Sequence, residues 1–529
     1  MSRDMTRVEP RRSWIDRAIE PLAPRWVLQR TVARMKAEIL ARHYEAASTG
    51  RRTQGWRRST LDANAAVGPA LTLIRDAARD LVRNNPYAES ALGTIADHAV
   101  GWGIVGKTNP MDQRAQDAWK AWAESTDCDA DGRHDFYGLQ KLVMRTVVES
   151  GEVLVRQRIR YLSDGFALPM QLQVIDPDFI DTLKDNSTML SGAGTGNRII
   201  QGVEFDAIGR RVAYWLFPSH PGSALGMGGA SVRVPADGIR HIFRSMRPGQ
   251  VRGISWFAPV LLGFRDFAEF ADATLMKQKI AACLAVLTSD TDGSNSPLGT
   301  ASSDGTIDTL EPGAILNVAP GRTIEVVQPP QAGDYSEYSK TVLRSIATGL
   351  GVTYEDLTGD YENLPFSAAR MSRIRHWARV EDWRWRILIP QFCTPAWQWA
   401  MQVAQVMGRA GSVAPGVEWT AQPAPMIDPV NEGLAYQRNI RSGMQTLSDA
   451  LRERGYDPDT VLKEMAADNK KLDELGLILD SDARNMTQAG QLQGEAAKGL
   501  NPVPAPAPPA PAAPADPPTP PKKKAATRR

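Results

Sequence analysis

Cysteine and histidine are both scarce in this chain of 529 residues, which contains three cysteines and six histidines. Cys128, Cys283 and Cys393 are too few and too widely separated to build a disulfide framework or a metal cluster. The histidines have no metal-ligand spacing, and none stands beside a plausible nucleophile motif. The sequence therefore predicts no catalytic centre, no bound metal and no cofactor.

Long apolar runs are also missing. No segment approaches the ~18 consecutive apolar residues that a membrane-spanning helix requires. The N-terminal stretch MSRDMTRVEPRRSWIDRAIE carries charges where a signal peptide needs an apolar core. We expect a protein of a reducing cytoplasm with no membrane partner, and the length is sufficient for several domains.

Charge is unevenly distributed, although the formal net charge is only +2. Residues 1–60 carry a net charge of +8 and residues 501–529 carry +4, so the residues between them sum to −10. A domain that grips DNA usually has its basic surface on the folded part. The acidic body is therefore typical either of a conduit along which DNA slides or of an ordinary acidic globular protein.

One segment imitates a nucleotide-binding motif: GWGIVGKT at residues 101–108 matches G-x-x-x-x-G-K-[ST]. That chemistry requires a buried strand before the loop and a helix directly after it, so that backbone amides point at the phosphates. Here the preceding AESALGTIADHAV has a helical pattern, and Asn109-Pro110 interrupts any helix directly after Thr108. A nucleotide hydrolase acting on DNA is the alternative function, but we favour a glycine-rich turn after a helix.

A second segment imitates half of a calcium-binding loop. Asp127, Asp129 and Asp131, followed by Gly132, have the spacing of its first ligands. The twelfth position of such a loop is a glutamate that binds with both oxygens, and here that position is Gly138. We therefore predict a polar turn that caps a helix beginning at Asp135.

The spacing of apolar residues predicts an α+β protein that is mainly helical. Helical patterns occur at residues 27–47, 69–100 with a break at Asn85-Pro86, 112–126, 135–150, 255–287, 335–350, 367–407 and 429–477. Short β-branched runs between residues 151 and 244 predict strands, with a hairpin turn at residues 206–209. Residues 288–332 are rich in Gly, Ser, Asp and Pro and contain the strand-like runs GAILNVA and TIEVVQPP. Residues 501–529 contain 11 prolines and predict an extended, disordered tail.

Several segments are residue combinations specific to one family. They are ARDLVRNNPYA, CDADGRHDFYGLQ, VVESGEVLVR, RPGQVRGISWFAPVLL and GVTYEDLTGDYENLPFSAAR. With these segments the chain resembles the lambda-type portal proteins of tailed bacteriophages, and the likeness covers most of the sequence. The resemblance implies a portal-type fold and a fixed domain order: a basic N-terminal arm (1–24), wing (25–254), first stem helix (255–287), clip (288–332), second stem helix (333–350), channel loop (351–367), helical crown (368–480) and a flexible, Pro-rich basic tail (481–529).

The resemblance also implies a structural function without enzymatic activity. Such proteins form homo-oligomeric rings, usually dodecamers, at one capsid vertex of the virion, and they assemble in the host cytoplasm. Double-stranded DNA is packaged and ejected through the bore, and the implied partners are the terminase large subunit, the head–tail adaptor and the major capsid protein. A DNA-binding scaffold with a basic arm and no ring closure is a further, weaker alternative.

The candidate DNA-channel residues follow from this domain order. Lys277 and Lys279 lie on the first stem helix, and Lys340 and Arg344 lie on the second. These four side chains either make weak phosphate contacts inside the bore or lie on a solvated outer face. By analogy with the family, the channel loop offers four more candidates to approach DNA, namely Asp360, Tyr361, Glu362 and Asn363.

Overall fold

The computed structural model describes residues 59–109, 112–186, 197–223, 229–282, 286–290, 322–326, 335–362, 364–411, 415–456, 458–477 and 479. The predicted N-terminal arm, the proline-rich tail and most of the predicted clip lie outside the described residues, as do Asn363 and Cys283. The described part is mainly helical with several small antiparallel sheets, so the predicted fold class is confirmed.

The N-terminal half of the described chain begins with helices. They are α1 (Ala63–Val67), α2 (Leu71–Asn84), α3 (Pro86–Val100), α4 (Gln113–Ala123) and α5 (Phe136–Ser150), and the short strand β1 (Val105–Asn109) lies between α3 and α4. The predicted break at Asn85-Pro86 is confirmed, because Asn85 caps α3 and its side chain accepts hydrogen bonds from the backbone of Tyr87 and Ala88. The predicted cap at Asp135 is also confirmed, since its carboxylate accepts a hydrogen bond from the Gly138 N–H.

Two antiparallel sheets follow. The first has the order β3-β2-β8 and consists of β2 (Glu152–Ile159), β3 (Met170–Ile175) and β8 (Ile239–Phe243). The second has the order β4-β5-β6-β7 and consists of β4 (Arg198–Ile200), β5 (Val203–Phe205), β6 (Arg211–Leu216) and β7 (Val232–Pro235). The predicted hairpin turn between β5 and β6 is confirmed by the bond from Asp206 N–H to the Arg210 carbonyl at 2.9 Å.

Two long helices enclose the next β segment. Helix α6 (Leu261–Ala282) packs against α7 (Tyr335–Leu350), and between them in sequence β9 (Val286–Asp290) pairs antiparallel with β10 (Arg322–Val326). The predicted helix over residues 255–287 is therefore too long at both ends. At its start, the Trp256 N–H donates to the Val148 carbonyl, so the chain turns along α5 before α6 begins. At its end, β-branched residues of β9 join a strand pair.

The C-terminal half returns to helices. It contains the one-turn helix α8 (Tyr354–Thr358), α9 (Phe366–Trp383), a π-helical segment (Arg384–Cys393) and α10 (Thr394–Val406). The strand β11 (Gly416–Thr420) then pairs antiparallel with β1, more than three hundred residues earlier in the chain. Three further helices follow, α11 (Pro429–Arg441), α12 (Leu447–Glu453) and α13 (Pro458–Leu475), where the apolar pattern predicted one helical block.

An aromatic cluster joins the two halves of the chain. The Trp119 ring on α4 lies 4.7 Å from Trp397 of α10 and 5.0 Å from Phe136 of α5, measured between centroids. Trp122 and Trp419 complete the cluster, at 5.3 and 6.3 Å from Trp119. These rings are buried and belong to the largest apolar core of the described chain. Helices α4, α5 and α10 and strand β11 therefore share one core.

A buried ion cluster holds β2 to its neighbours. The Glu152 carboxylate is fully buried and accepts hydrogen bonds from Arg252 at 2.5 Å, Arg75 at 2.7 Å and the Gly253 N–H at 2.7 Å. His241 of β8 lies 2.9 Å from the same carboxylate. Burial by itself would raise the pKa of Glu152, but Arg252, His241 and Arg75 hold that pKa well below 4.5. Four segments of the chain thus meet at one carboxylate.

Gly253 permits this close packing. A Cβ atom at this position would lie 2.2 Å from the Gly151 carbonyl oxygen and 2.8 Å from the Glu152 Cβ. Only glycine allows the two backbones to approach so closely. The RPGQVRGISWF segment therefore has a structural explanation, because it supplies both Arg252 and the glycine beside it.

Among the described residues, no helix has both the length and the apolar character needed to cross a membrane.

Candidate nucleic-acid interface

The phosphate-loop imitation at residues 101–108 is built as a turn followed by a strand. Lys107 lies within β1, where it is paired with Glu418 of β11 in the strand register. Its Nζ atom lies 2.6 Å from Asp459 of α13. A phosphate-binding lysine instead sits in a loop at the N-terminus of a helix. The geometry therefore agrees with the preference for a glycine-rich turn over a nucleotide site.

The calcium-loop imitation is a turn whose central carboxylate is occupied by backbone amides. Asp129 is buried and accepts hydrogen bonds from the N–H groups of Asp131, Arg133 and His134 at 3.0–3.1 Å. This satisfies the carboxylate within the protein and supports the predicted polar turn.

Three of the candidate channel residues lie together at the beginning of the predicted channel loop. Lys340 Nζ of α7 lies 3.7 Å from Asp360 Oδ2, and the Tyr354 hydroxyl donates a hydrogen bond of 2.9 Å to the same oxygen. The Arg344 guanidinium lies over the Tyr354 ring, 5.3 Å from its centroid. Hydrogen bonds from the Glu362 backbone and from Tyr354, with Lys340 nearby, lower the pKa of Asp360. Asp360 therefore stays ionised and ties the loop to α7.

The loop itself is more ordered than the sequence predicts. Its first residues form α8, because the Thr353 side chain accepts a hydrogen bond from the Asp356 N–H at 3.0 Å and so caps the helix. One turn is too short to produce an apolar period, so the pattern gave no signal for it. Beyond α8, the side chains of Tyr361 and Glu362 are exposed to solvent.

The two lysines of α6 lie apart from this group. Lys277 is half-buried and Lys279 is exposed, and neither makes an ion pair with any residue that the structure describes. Their position inside the bore or on the outer face stays a prediction.

An arginine-lined cavity next to the loop escaped the sequence analysis. It has a volume of about 600 Å³, lies between α7, α9 and the start of the loop, and is lined by Arg344, Arg375 and Arg379. None of these three arginines makes an ion pair with a carboxylate in the described part of the chain. Gly351, with φ of 85°, lacks the Cβ that would lie 2.9 Å from Arg379, so the guanidinium can cover the backbone there. The run ARMSRIRHWAR was the available signal for this basic surface.

The comparison with protein families gives a clear result. The model described as "Phage portal protein, lambda family" matches residues 49–384. Because the match spans well over half of the chain, the chain is a phage portal protein. Among portal proteins it belongs to the lambda family, and the resemblance seen in the sequence is confirmed.

Individual relatives agree with this assignment. The chain is 26% identical to a probable portal protein of Halomonas phage phiHAP-1, over 84% of this chain and 89% of that protein. It is 24% identical to the portal protein of Escherichia phage N15, over 86% and 94%. It is 25% identical to portal protein B of Escherichia phage lambda, over 64% and 70%. A nucleotide hydrolase has no support from these comparisons.

Solved structures include similar chains. One comes from the neck of a native GTA particle, with a TM-score of 0.45, 13% identity and coverage of 72% of this chain and 94% of that chain. Another comes from the virion of a native gene transfer agent particle, with a TM-score of 0.44, 14% identity and coverage of 79% and 99%.

Proposed function

We propose that this portal protein forms a closed ring of twelve copies at one capsid vertex, and that double-stranded DNA is packaged and ejected through the bore. The match of residues 49–384 to the portal family carries the proposal. A ring closes only when one face of a subunit contacts a different face of the next subunit. The chain acts as a structural component and not as an enzyme.

We extend the proposal to the domain order. Helices α6 and α7 serve as the two stem helices, and the segment that contains β9 and β10 serves as the clip. The packing of α6 on α7, with an antiparallel strand pair between them in sequence, supports this assignment. Residues 25–254 then form the wing, 351–367 the channel loop and 368–480 the crown. The clip docks the terminase large subunit and the head–tail adaptor. The ring also contacts the major capsid protein, and it assembles in the host cytoplasm.

Electron microscopy of the purified full-length protein tests the ring directly. We expect rings with a central hole of roughly 20 Å or more, which is wide enough for a B-form DNA duplex. Native mass measurement of the same sample gives the number of copies. A stable monomer at high concentration, with added divalent cations and salt varied, contradicts the proposal.

The arginine-lined cavity adds two candidates to the predicted phosphate contacts. We propose that Arg375 and Arg379 join Arg344 in facing DNA at the level of the channel loop. Guanidinium groups bind phosphate oxygens well, and these three have no carboxylate partner in the described chain. The carboxylate of Asp360, which is hydrogen-bonded to Tyr354 of the same cavity, keeps the attraction weak, as a passage for sliding DNA requires.

The double variant Arg375→Ala with Arg379→Ala tests this contact. We expect its affinity for duplex DNA to fall equally for all sequences, and the slope of log affinity against log salt to decrease by about 2, because each phosphate contact contributes about 0.9. Binding is measured by fluorescence anisotropy at several salt concentrations. Arg386→Ala is the matched control, because Arg386 on the same helical run pairs with Asp382. An unchanged salt slope, or loss of the ring itself, contradicts a DNA contact, and ring loss assigns these arginines to a neighbouring subunit.

A further inference from the structure

Two histidines that lie 278 residues apart in sequence meet between α3 and α9. Nδ1 of His98 and Nε2 of His376 share a hydrogen bond of 2.8 Å, and the ring centroids are 5.0 Å apart. A carboxylate oxygen of Asp356, on α8, belongs to the same group. One ligand atom from each of the three residues lies within 4.8 Å of the other two.

The burial of the two histidines is compatible with a ligand role. His376 is 2% exposed, and its other ring nitrogen, Nδ1, is buried without a hydrogen-bond partner among the described residues. His98 is half-buried, and imidazole nitrogens are common metal ligands in proteins.

The distances fit a first-row transition metal after small side-chain movements. Zinc binds imidazole nitrogen and carboxylate oxygen at about 2.0–2.2 Å, which separates the ligand atoms of a tetrahedral site by about 3.3 Å. The two ring nitrogens have to break their hydrogen bond and move apart by about half an ångström, and the carboxylate oxygen, which lies within 4.8 Å of them, has to approach by up to about 1.5 Å. Asp356 is on a one-turn helix that α3 holds through the bond from Ser90 Oγ to the Leu357 carbonyl at 3.1 Å.

The charged side chains around the three residues include some that favour a bound cation and some that disfavour it. Arg373 lies 3.8 Å from Asp356 Oδ1, so it can hold one carboxylate oxygen while the other binds a metal. Arg384 disfavours a further positive charge at His98, whereas Asp97 favours one. The rings of Trp377 and Trp383 lie 6.0 Å from His98 and His376, respectively, and His376 also lines the arginine-lined cavity.

We propose that His98 Nδ1, His376 Nε2 and an Asp356 carboxylate oxygen bind one divalent transition-metal ion, zinc in particular. Three protein ligands leave the fourth tetrahedral position to water. The ion joins α3, α8 and α9 and so fixes the base of the predicted channel loop. This departs from the sequence prediction of no metal, because ligand spacing along the chain gives no sign of residues that only the fold brings together.

Calorimetric titration of chelator-treated, full-length protein with zinc chloride tests the site. We expect one zinc per subunit, and a loss of affinity of more than about tenfold in His376→Gln and in Asp356→Asn. Co²⁺ in place of zinc gives the visible absorption of a four-coordinate site in the unchanged protein, and this band is absent from both variants. His134→Gln is the matched control, because His134 is exposed and outside the cluster.

Circular dichroism of each variant without metal separates misfolding from ligand loss. Should His376→Gln fail to fold, His98→Gln and Asp356→Asn carry the test. Binding that is absent, or that falls no more in these variants than in His134→Gln, overturns the proposal. Ring formation is scored independently by microscopy, so failure of the metal site and failure of the ring are distinguishable.

Discussion

Replacing Glu152 by Gln is expected to lower the free energy of unfolding by about 3–5 kcal/mol, because it leaves the buried Arg252 without its counter-charge and removes one of the two carboxylate partners of Arg75. Glutamine has nearly the same size as glutamate, so the packing is retained and only the charge is lost. Arg252 is 0% exposed and relies on this carboxylate, whereas Arg75, which is 1% exposed, also pairs with Asp178. The loss is large relative to the roughly 5–15 kcal/mol that stabilise a typical domain.

Urea denaturation followed by tryptophan fluorescence, at one fixed subunit concentration, measures this effect. The matched control is Glu89→Gln. Glu89 pairs with Arg145 at 2.7 Å, but its side chain is 50% exposed, so we expect a change below about 1 kcal/mol. A Glu152→Gln variant no less stable than Glu89→Gln contradicts the interpretation of the cluster as a stabilising centre.

The cluster also fixes the direction of the pH dependence. The pKa of Glu152 in the folded protein lies well below 4.5, its usual value. The stabilisation is therefore fully present above pH 4.5 and is lost as the pH falls through the lowered pKa. In Glu152→Gln this part of the acid-induced loss is absent, so its stability curve is flatter at low pH than that of the unchanged protein.

Replacing Trp119 by Ala is expected to cost a similar 3–5 kcal/mol, because it opens a cavity at the centre of the aromatic cluster. Trp119 contacts four aromatic rings from four separate elements. Its Nε1 atom is buried and makes no hydrogen bond within the described chain. Trp119→Phe, which retains most of the apolar contact and removes that unpaired donor, is the control and should cost much less.

Thermal and urea unfolding of the two Trp119 variants measure the difference. We also expect faster proteolysis of residues 394–420 in Trp119→Ala, because this segment packs on α4 through Trp397 and Trp419. Equal stabilities for Trp119→Ala and Trp119→Phe would show that the cluster does not hold the two halves together.

Local patterns predicted most helices but not their ends. Apolar residues such as Phe257 and Val260 continue the period of α6, yet they are buried in a turn that runs along α5. Periodicity identifies residues that face the core, and it does not distinguish a helix from a turn that buries the same face. Helix α8 was missed for the opposite reason, since a single capped turn has no measurable period.

Long-range charge contacts were beyond the reach of sequence reasoning. Arg75, Glu152 and Arg252 lie on three segments, and nothing in their spacing indicates that they meet. Lys340 and Arg344 were predicted as candidates on the second stem helix, and Asp360 was predicted separately in the channel loop by analogy with the family. The structure brings these three side chains together, and the assignment of all the candidates to the DNA channel stays a prediction.

The strand pair between β1 and β11 has a practical consequence for anyone who shortens this protein. The portal family match ends at residue 384, but the partner strand of β1 lies at Gly416–Thr420. A chain that ends at residue 384 would leave β1 without its partner strand. It would also expose tryptophans that are buried in the full-length protein, which would lower its solubility. A truncation for crystallography should therefore end after α13, and a fusion tag should be attached there, so that the pairing of β11 with β1 is kept.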